Sequence, residues 1–169
     1  MSSDAVVHEL YEDAEVRDRV VARFGRSVAP DGLIDRATLA RMAFACAEDR
    51  TWLEGLLWPR VGQRMADWRA EVDRASPPPR AAVVEVPLLF ESGMEAVFDA
   101  TIAVLADEAI RAQRAGGRGH EALAERGERQ LSQAEKGERA TFSVVNDGSV
   151  EELEGRLSAV LDMLGRPGR

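Results

Sequence analysis

This chain of 169 residues has little cysteine, little histidine and no surplus of positive charge, and each shortage removes a class of function. Its single cysteine, Cys46, excludes an internal disulfide framework and a cysteine-rich metal site, so a reducing cytoplasm is the expected compartment. His8 and His120 have no partners at metal-ligand spacing, and no metal site is expected. A formal charge of -8 and a pI near 4.9 exclude a general binder of nucleic-acid backbone, which needs a basic face to displace counterions. Any polyanion site must be local. The longest apolar run, Ala81 to Glu91, is interrupted by Glu85 and Pro87 and is too short to span a bilayer. Met-Ser-Ser-Asp-Ala at the start has neither the basic segment nor the apolar core of an export signal. The expectation is a soluble, cytoplasmic monomer with no membrane or nucleic-acid partner. Its length suits one cored domain with a small helical appendage.

What is present is organised around that apolar run. Ala82, Val83, Val84, Val86, Leu88 and Leu89 show no polar alternation, which predicts a strand buried on both faces of an α/β sheet. Pro87 cannot donate to a ladder, so pairing should end near it and deliver Phe90 and Glu91 to the rim, where open α/β folds bind ligands. Ala100–Ala106 and Phe142–Val145 read as two further strands.

Before the run, helical spacing predicts two short helices from Ser3 or Asp4 to Phe24, and a third capped by Asp35 with Leu39, Met42, Ala43 and Cys46 buried. A fourth helical region starts near Asp49 and breaks or kinks at Pro59, with Trp52 and Trp68 expected in the core. Ser76-Pro77-Pro78-Pro79 is a stiff connector and marks a boundary. Asp107 should cap a helix leading into an Arg/Glu-rich stretch, Arg111 to Arg139, whose plainest reading is a solvated helix face with paired charges. A capping box at Ser149 to Glu152 opens a last helix that stops at Gly165. Strands alternating with helices imply a parallel sheet covered by helices.

Several of these pieces stand in the order of one family. Asp4-Ala5-Val6-Val7, Asp31 to Arg36 (DGLIDR), Leu56-Leu57-Trp58-Pro59, Pro87-Leu88-Leu89-Phe90-Glu91, the Arg114/Arg118 pair, Gln130 with Lys136, and Asn146-Asp147-Gly148-Ser149 together resemble dephospho-coenzyme A kinase, from Asp4 to Leu164. The resemblance implies a P-loop NTPase-like α/β fold, a three-layer parallel sheet with a helical substrate domain and a lid. It also implies transfer of the γ-phosphate of ATP, with Mg²⁺, to the ribose 3'-hydroxyl of dephospho-coenzyme A. Carried over by position, Asp4 is the base on that hydroxyl, and Arg114 and Arg118 are lid arginines on the phosphates. Arg126 and Lys136 are further lid cations, Asn146 lies near the adenine, and Arg60 and Glu91 contact the acceptor. Residues 1–80 become the helical acceptor-binding part, and 81–169 the remaining α/β core with its lid at about 111–139.

The departures from the family are as informative. No G-x-x-x-x-G-K-[ST] loop can be written anywhere in the chain, whose only lysine is Lys136, so the central P-loop strand and its phosphate cradle are expected to be missing. Trp58 stands where the family shows histidine, and Thr141 where it shows an acid. The leading expectation is an incomplete kinase whose natural start lies upstream of Met1, with Asp4 on a fraying end and activity impaired. The alternatives are a catalytically inactive relative that binds coenzyme A-like ligands, and another small-molecule kinase of the same fold.

Overall fold

The computed structural model describes residues 1–116 and 130–165, and they form two compact units, Met1–Pro87 and Leu88–Arg169. The first unit is helical, with α1 (Ser3–Glu12), α2 (Ala14–Phe24), α3 (Arg36–Ala45) and α4 (Ala47–Asp73). Asp13 separates α1 from α2 because its Oδ1 accepts from the amides of Glu15 and Val16, at 2.8 and 3.2 Å, and so caps a new helix. Gly25 ends α2 at φ 85°, a left-handed conformation that side chains resist. Asp35 caps α3 through the amides of Ala37 and Thr38, as its position before the apolar stripe predicts.

Helical spacing builds the core of this unit. Val16, Val20 and Phe24 recur one turn apart on α2 and meet Val6 and Leu10 of α1, Leu39 and Ala43 of α3, and Leu56, Leu57 and Val61 of α4. Of the break or kink expected at Pro59, the break does not occur: α4 runs 27 residues through the proline. Leu56, Leu57 and Val61 pack into the core on both sides of the proline, and that burial outweighs one lost backbone hydrogen bond. Cys46 is exposed, not buried: the helix ends one residue earlier, and Cys46 takes extended backbone between α3 and α4, off the periodic stripe that would have buried it. Trp52 is partly buried, edge-on to Phe24 with ring centroids 5.8 Å apart, and Trp68 is half-buried.

The run from Ala81 does not form a ladder strand. A single parallel bridge joins Glu85 to Ser2, and Val83 and Leu88 are exposed. The pairing consists of the Ser3 N–H reaching Glu85 O and the Glu85 N–H reaching Met1 O, and α1 turns away at Ser3. The terminal ammonium donates to Val83 O at 2.9 Å. These bonds tie down the end expected to fray, and Asp4 sits in the first turn of a helix anchored behind it.

The second unit contains β1 (Ile102–Leu105), α5 (Glu108–Gly116), α6 (Gln133–Arg139), β2 (Phe142–Val145) and α7 (Val150–Leu164). β1 and β2 pair in parallel, Ile102 opposite Phe142 through Leu105 opposite Val145, and they are the only ladder strands among the described residues. Their register is pinned at the amino ends by a reciprocal exchange: the Thr101 amide donates to Thr141 Oγ1 at 3.1 Å and the Thr141 amide to Thr101 Oγ1 at 3.0 Å. Thr141 thus has a structural role. Val160 of α7 and Val144 of β2 are buried in this unit. Gly137 lets α6 lie close to β1, since a β-carbon there would stand 3.2 Å from Leu105 Cδ1. The lid expected at about 111–139 falls partly outside the described residues. Within them, α5 and α6 are its two ends.

Candidate functional site

In the first unit the candidate chemistry lies on one face of α1. Asp4 is exposed in the first helical turn, where a carboxylate complements the helix dipole, and His8 follows one turn later on the same face. Arg36, the first residue of α3, directs Nη1 to His8 Nε2. Tyr11, also on α1, is near enough to feel the Arg36 charge: burial pushes its phenol up to about 12, with the positive charge of Arg36 pulling the other way. Arg60, on α4, has its partners within the first unit. Its Nη2 meets Glu15 Oε1 at 2.5 Å and its Nη1 donates to Leu56 O at 3.0 Å, so its charge is already matched.

In the second unit the carboxyl ends of β1 and β2 open onto adjacent loops, and side chains bind those loops together. Arg114, near the end of α5, donates from Nη1 to Asn146 O at 2.7 Å and from Nη2 to Gly148 O at 3.4 Å. The Asp107 amide donates to Asp147 Oδ1 at 2.7 Å, while Asp107 Oδ1 caps α5 through the Ala109 amide. Gln133 acts as a surrogate strand: Oε1 accepts from the Ala106 amide at 2.8 Å and Nε2 donates to Ala106 O at 2.7 Å. Two parallel strand ends fixed in this way form the rim on which α/β proteins place ligands.

Glu91 anchors the start of α6 from the same unit. One oxygen, Oε1, accepts the Leu131 amide at 3.0 Å and lies 2.9 Å from Lys136 Nζ. The other, Oε2, is buried without a hydrogen-bond partner. Burial alone would raise this carboxyl, but the hydrogen bond from Lys136, the backbone N–H bonds and the Lys136 charge outweigh it and hold Glu91 below its usual range.

Of the residues singled out in the sequence, Arg114 and Asn146 are brought together, as are Glu91 and Lys136, each pair within the second unit. Asp4 and Arg60 lie on different helices of the first unit. Arg118 and Arg126 lie outside the described residues. Sequence reasoning passed over the pairing of His8 with Arg36 and the double bond of Gln133 to Ala106. A signal for the first was available: an arginine directly after an N-cap stands at the unfavourable end of a helix dipole and calls for a reason.

Comparison with known proteins bears on the whole constellation. A family model described as dephospho-CoA kinase matches residues 1–152. The dephospho-CoA kinase of Moorella thermoacetica is 34% identical over 171 residues, covering 98% of this chain and 80% of that protein. That of Deinococcus radiodurans is 35% identical over 167 residues, covering 97% and 79%. Among solved structures, the crystal structure of TT1252 from Thermus thermophilus superposes with a TM-score of 0.78 at 32% identity, over 97% of this chain and 83% of that one. A dephospho-CoA kinase from Campylobacter jejuni shares the fold, with a TM-score of 0.66 at 23% identity over 98% of this chain and 84% of its own. The parallel arrangement of β1 and β2, the helical first unit and the family match across both lead to one conclusion: this chain belongs to the dephospho-CoA kinase family.

Proposed function

We propose that this chain carries the acceptor-binding part and the arginine-bearing α/β core of a dephospho-CoA kinase, which phosphorylates the ribose 3'-hydroxyl of dephospho-CoA in coenzyme A biosynthesis. Residues 1–80 receive the acceptor, and 81–169 form the core with the lid at about 111–139. The observation that carries the reading is the match over residues 1–152 to a family of that name, with Arg114 and the Asn146–Gly148 loop drawn together at the ends of parallel strands. In this reading Asp4 orients and takes the proton of the acceptor hydroxyl. Arg114, Arg118, Arg126 and Lys136 neutralise phosphate charge, and Asn146 borders the adenine. Phosphoryl transfer is chiefly positioning and charge neutralisation, which suits guanidinium groups that stay charged at any working pH.

ATP and Mg²⁺ fit the described residues only in part. Arg114 stands beside Asn146, but the 169 residues contain no glycine-rich loop to hold the β- and γ-phosphates. No group of three or more His, Cys, Asp or Glu that could hold a metal lies among the described residues, so magnesium would arrive with the nucleotide. We therefore propose that these residues alone bind dephospho-CoA and transfer phosphate poorly, and that the phosphate grip comes from a P-loop strand they do not include. A second reading, an inactive binder of coenzyme A-like ligands, draws support from the neutralised state of Arg60 and Lys136.

Calorimetry with dephospho-CoA and a coupled ADP-release assay test the proposal, on the 169-residue chain and on a form extended upstream through the first in-frame glycine-rich loop. The expected result is acceptor binding by both and turnover by the extended form alone. Ordinary turnover by the 169 residues would overturn the account of phosphate holding. Preference of the extended form for a nucleoside monophosphate would overturn the acceptor, and a folded extended form that binds acceptor without turnover would favour the inactive binder.

A further inference from the structure

We propose that Arg36, held in place by His8, which stands one helical turn from Asp4 on α1, is the residue that binds a phosphate of the acceptor. This deepens the reading of the chain as a dephospho-CoA kinase and rests on it for the identity of the ligand. The geometry that suggests it needs no such assumption.

The argument turns on how an arginine can be oriented without being neutralised. In this acidic chain, with its formal charge of -8, the oriented arginines of the first unit mostly meet carboxylates. Arg23 meets Glu48 and Asp49, Arg60 meets Glu15, and Arg69 meets Asp73. Each such pair fixes the side chain and cancels its charge. Arg36 meets an imidazole instead, and among the described residues it has no carboxylate partner. Because a guanidinium only donates, the His8 Nε2 facing it acts as the acceptor, and this contact brings no carboxylate charge to the guanidinium. Arg36 is thus positioned while keeping its full positive charge and its remaining N–H donors.

The nearest acid in sequence has other partners. Asp35 Oδ1 accepts from the amides of Ala37 and Thr38, and its Oδ2 accepts from Thr38 Oγ1 at 2.7 Å. Arg36 also stands at the amino end of α3, where the helix dipole disfavours a cation and favours an anion beside it. A preoriented, unneutralised guanidinium fork is the arrangement that binds phosphate oxygens with little ordering cost.

Its place relative to Asp4 matches the proposed acceptor. Asp4 and His8 are four residues apart on α1, which sets their β-carbons about 5–6 Å apart on one face. A nucleoside 5'-diphosphate presents its 3'-hydroxyl and its 5'-phosphate from the same ribose. The hydroxyl would reach Asp4 while the phosphate reaches Arg36. Arg60, whose charge is matched by Glu15, would contribute little.

The test uses the full 169-residue chain and two probes, inorganic pyrophosphate and dephospho-CoA, followed by NMR signals of Arg36 Nε and the His8 ring and by calorimetry. Pyrophosphate is expected to shift both signals. Arg36→Gln is expected to weaken dephospho-CoA binding about tenfold or more, with Arg36→Lys restoring only part. His8→Gln, which keeps a neutral acceptor, should stay near wild type, whereas His8→Leu should lose severalfold and Arg60→Gln less than twofold. These side chains are exposed, apart from Arg60, which is half-buried, and an unchanged unfolding curve will confirm that each variant folds. If dephospho-CoA binds Arg36→Gln as tightly as wild type, the phosphate site is overturned and the acceptor reading stands. If pyrophosphate shifts Arg36 and His8 but dephospho-CoA does not bind, the anion site stands and the acceptor reading falls. If neither probe moves those signals, the proposal is overturned.

Discussion

The Glu91–Lys136 pair offers a measurement in which stability, pH and position can be separated. Both side chains are largely buried, 13% and 22% exposed, and one carboxylate oxygen serves both the ammonium and the Leu131 amide. Lys136→Met removes the cation and strands a carboxylate whose other oxygen already lacks a partner. Removing one member of a buried pair costs about 3–5 kcal/mol, and the residual exposure here puts the expectation at the lower end. Glu91→Gln retains an acceptor for the amide and takes one charged partner from a lysine whose flexible stem can reach water, so a smaller loss of about 1–2 kcal/mol is expected. The double variant should lose less than the sum, with a coupling of about 1.5–3 kcal/mol.

The pH dependence follows from the direction of the Glu91 shift. Its carboxyl is lower in the folded state than in the unfolded chain, where it titrates near about 4.3, so its contribution is complete above that value and is lost as pH falls through the folded-state value. Wild type should therefore weaken in acid more steeply than Glu91→Gln. Tryptophan emission would miss all of this, because the three tryptophans lie in Met1–Pro87. Urea unfolding at a series of pH values should instead be followed through β2 amide signals such as Val144. A coupling below about 0.5 kcal/mol, or acid limbs that coincide, would refute the claim that this pair anchors α6.

Three further outcomes are expected. Leu39→Ala, at a side chain only 1% exposed in the helical core, should cost about 2–5 kcal/mol by urea unfolding read through tryptophan emission. Gln133→Ala should leave the amide and carbonyl of Ala106 without their partner, cost about 1–3 kcal/mol, and speed hydrogen exchange at Ala106. The single tyrosine, Tyr11, should titrate by ultraviolet absorbance with a midpoint of about 12, and higher still in Arg36→Gln because the charge that opposes the rise is gone. Since the unfolded phenol loses its proton first, stability should fall as pH rises between about 10 and 12.

What could be read from the sequence was decided by locality. Asp35 as a cap, the buried Leu39 and Ala43 of α3, and the strands at Ile102–Leu105 and Phe142–Val145 follow from neighbours within a few residues, and each lies where expected, whereas Cys46 at the end of the same stripe is exposed. Failures came where a distant contact decides. Val83 to Val86 have the composition of a central strand, but a strand is defined by its partner, and the pairing here is a single bridge from Glu85 to Ser2. Pro59 carries a strong local signal for a break that core packing on both sides overrides. In the candidate site the residue types were legible from their order along the chain, whereas their pairing was not. Nothing local says that Arg60 meets Glu15, or that Arg36 meets an imidazole.

The missing side chain at position 137 couples two places that are 32 residues apart in the chain, because the helix can settle on the strand only while Leu105 fills the space a methyl would claim. Bulk at these two positions is a shared quantity. A relative with alanine at 137 should carry valine or alanine at 105, and a chain enlarged at both would have to lift α6, and with it Lys136 and Gln133, away from the strand end they fasten.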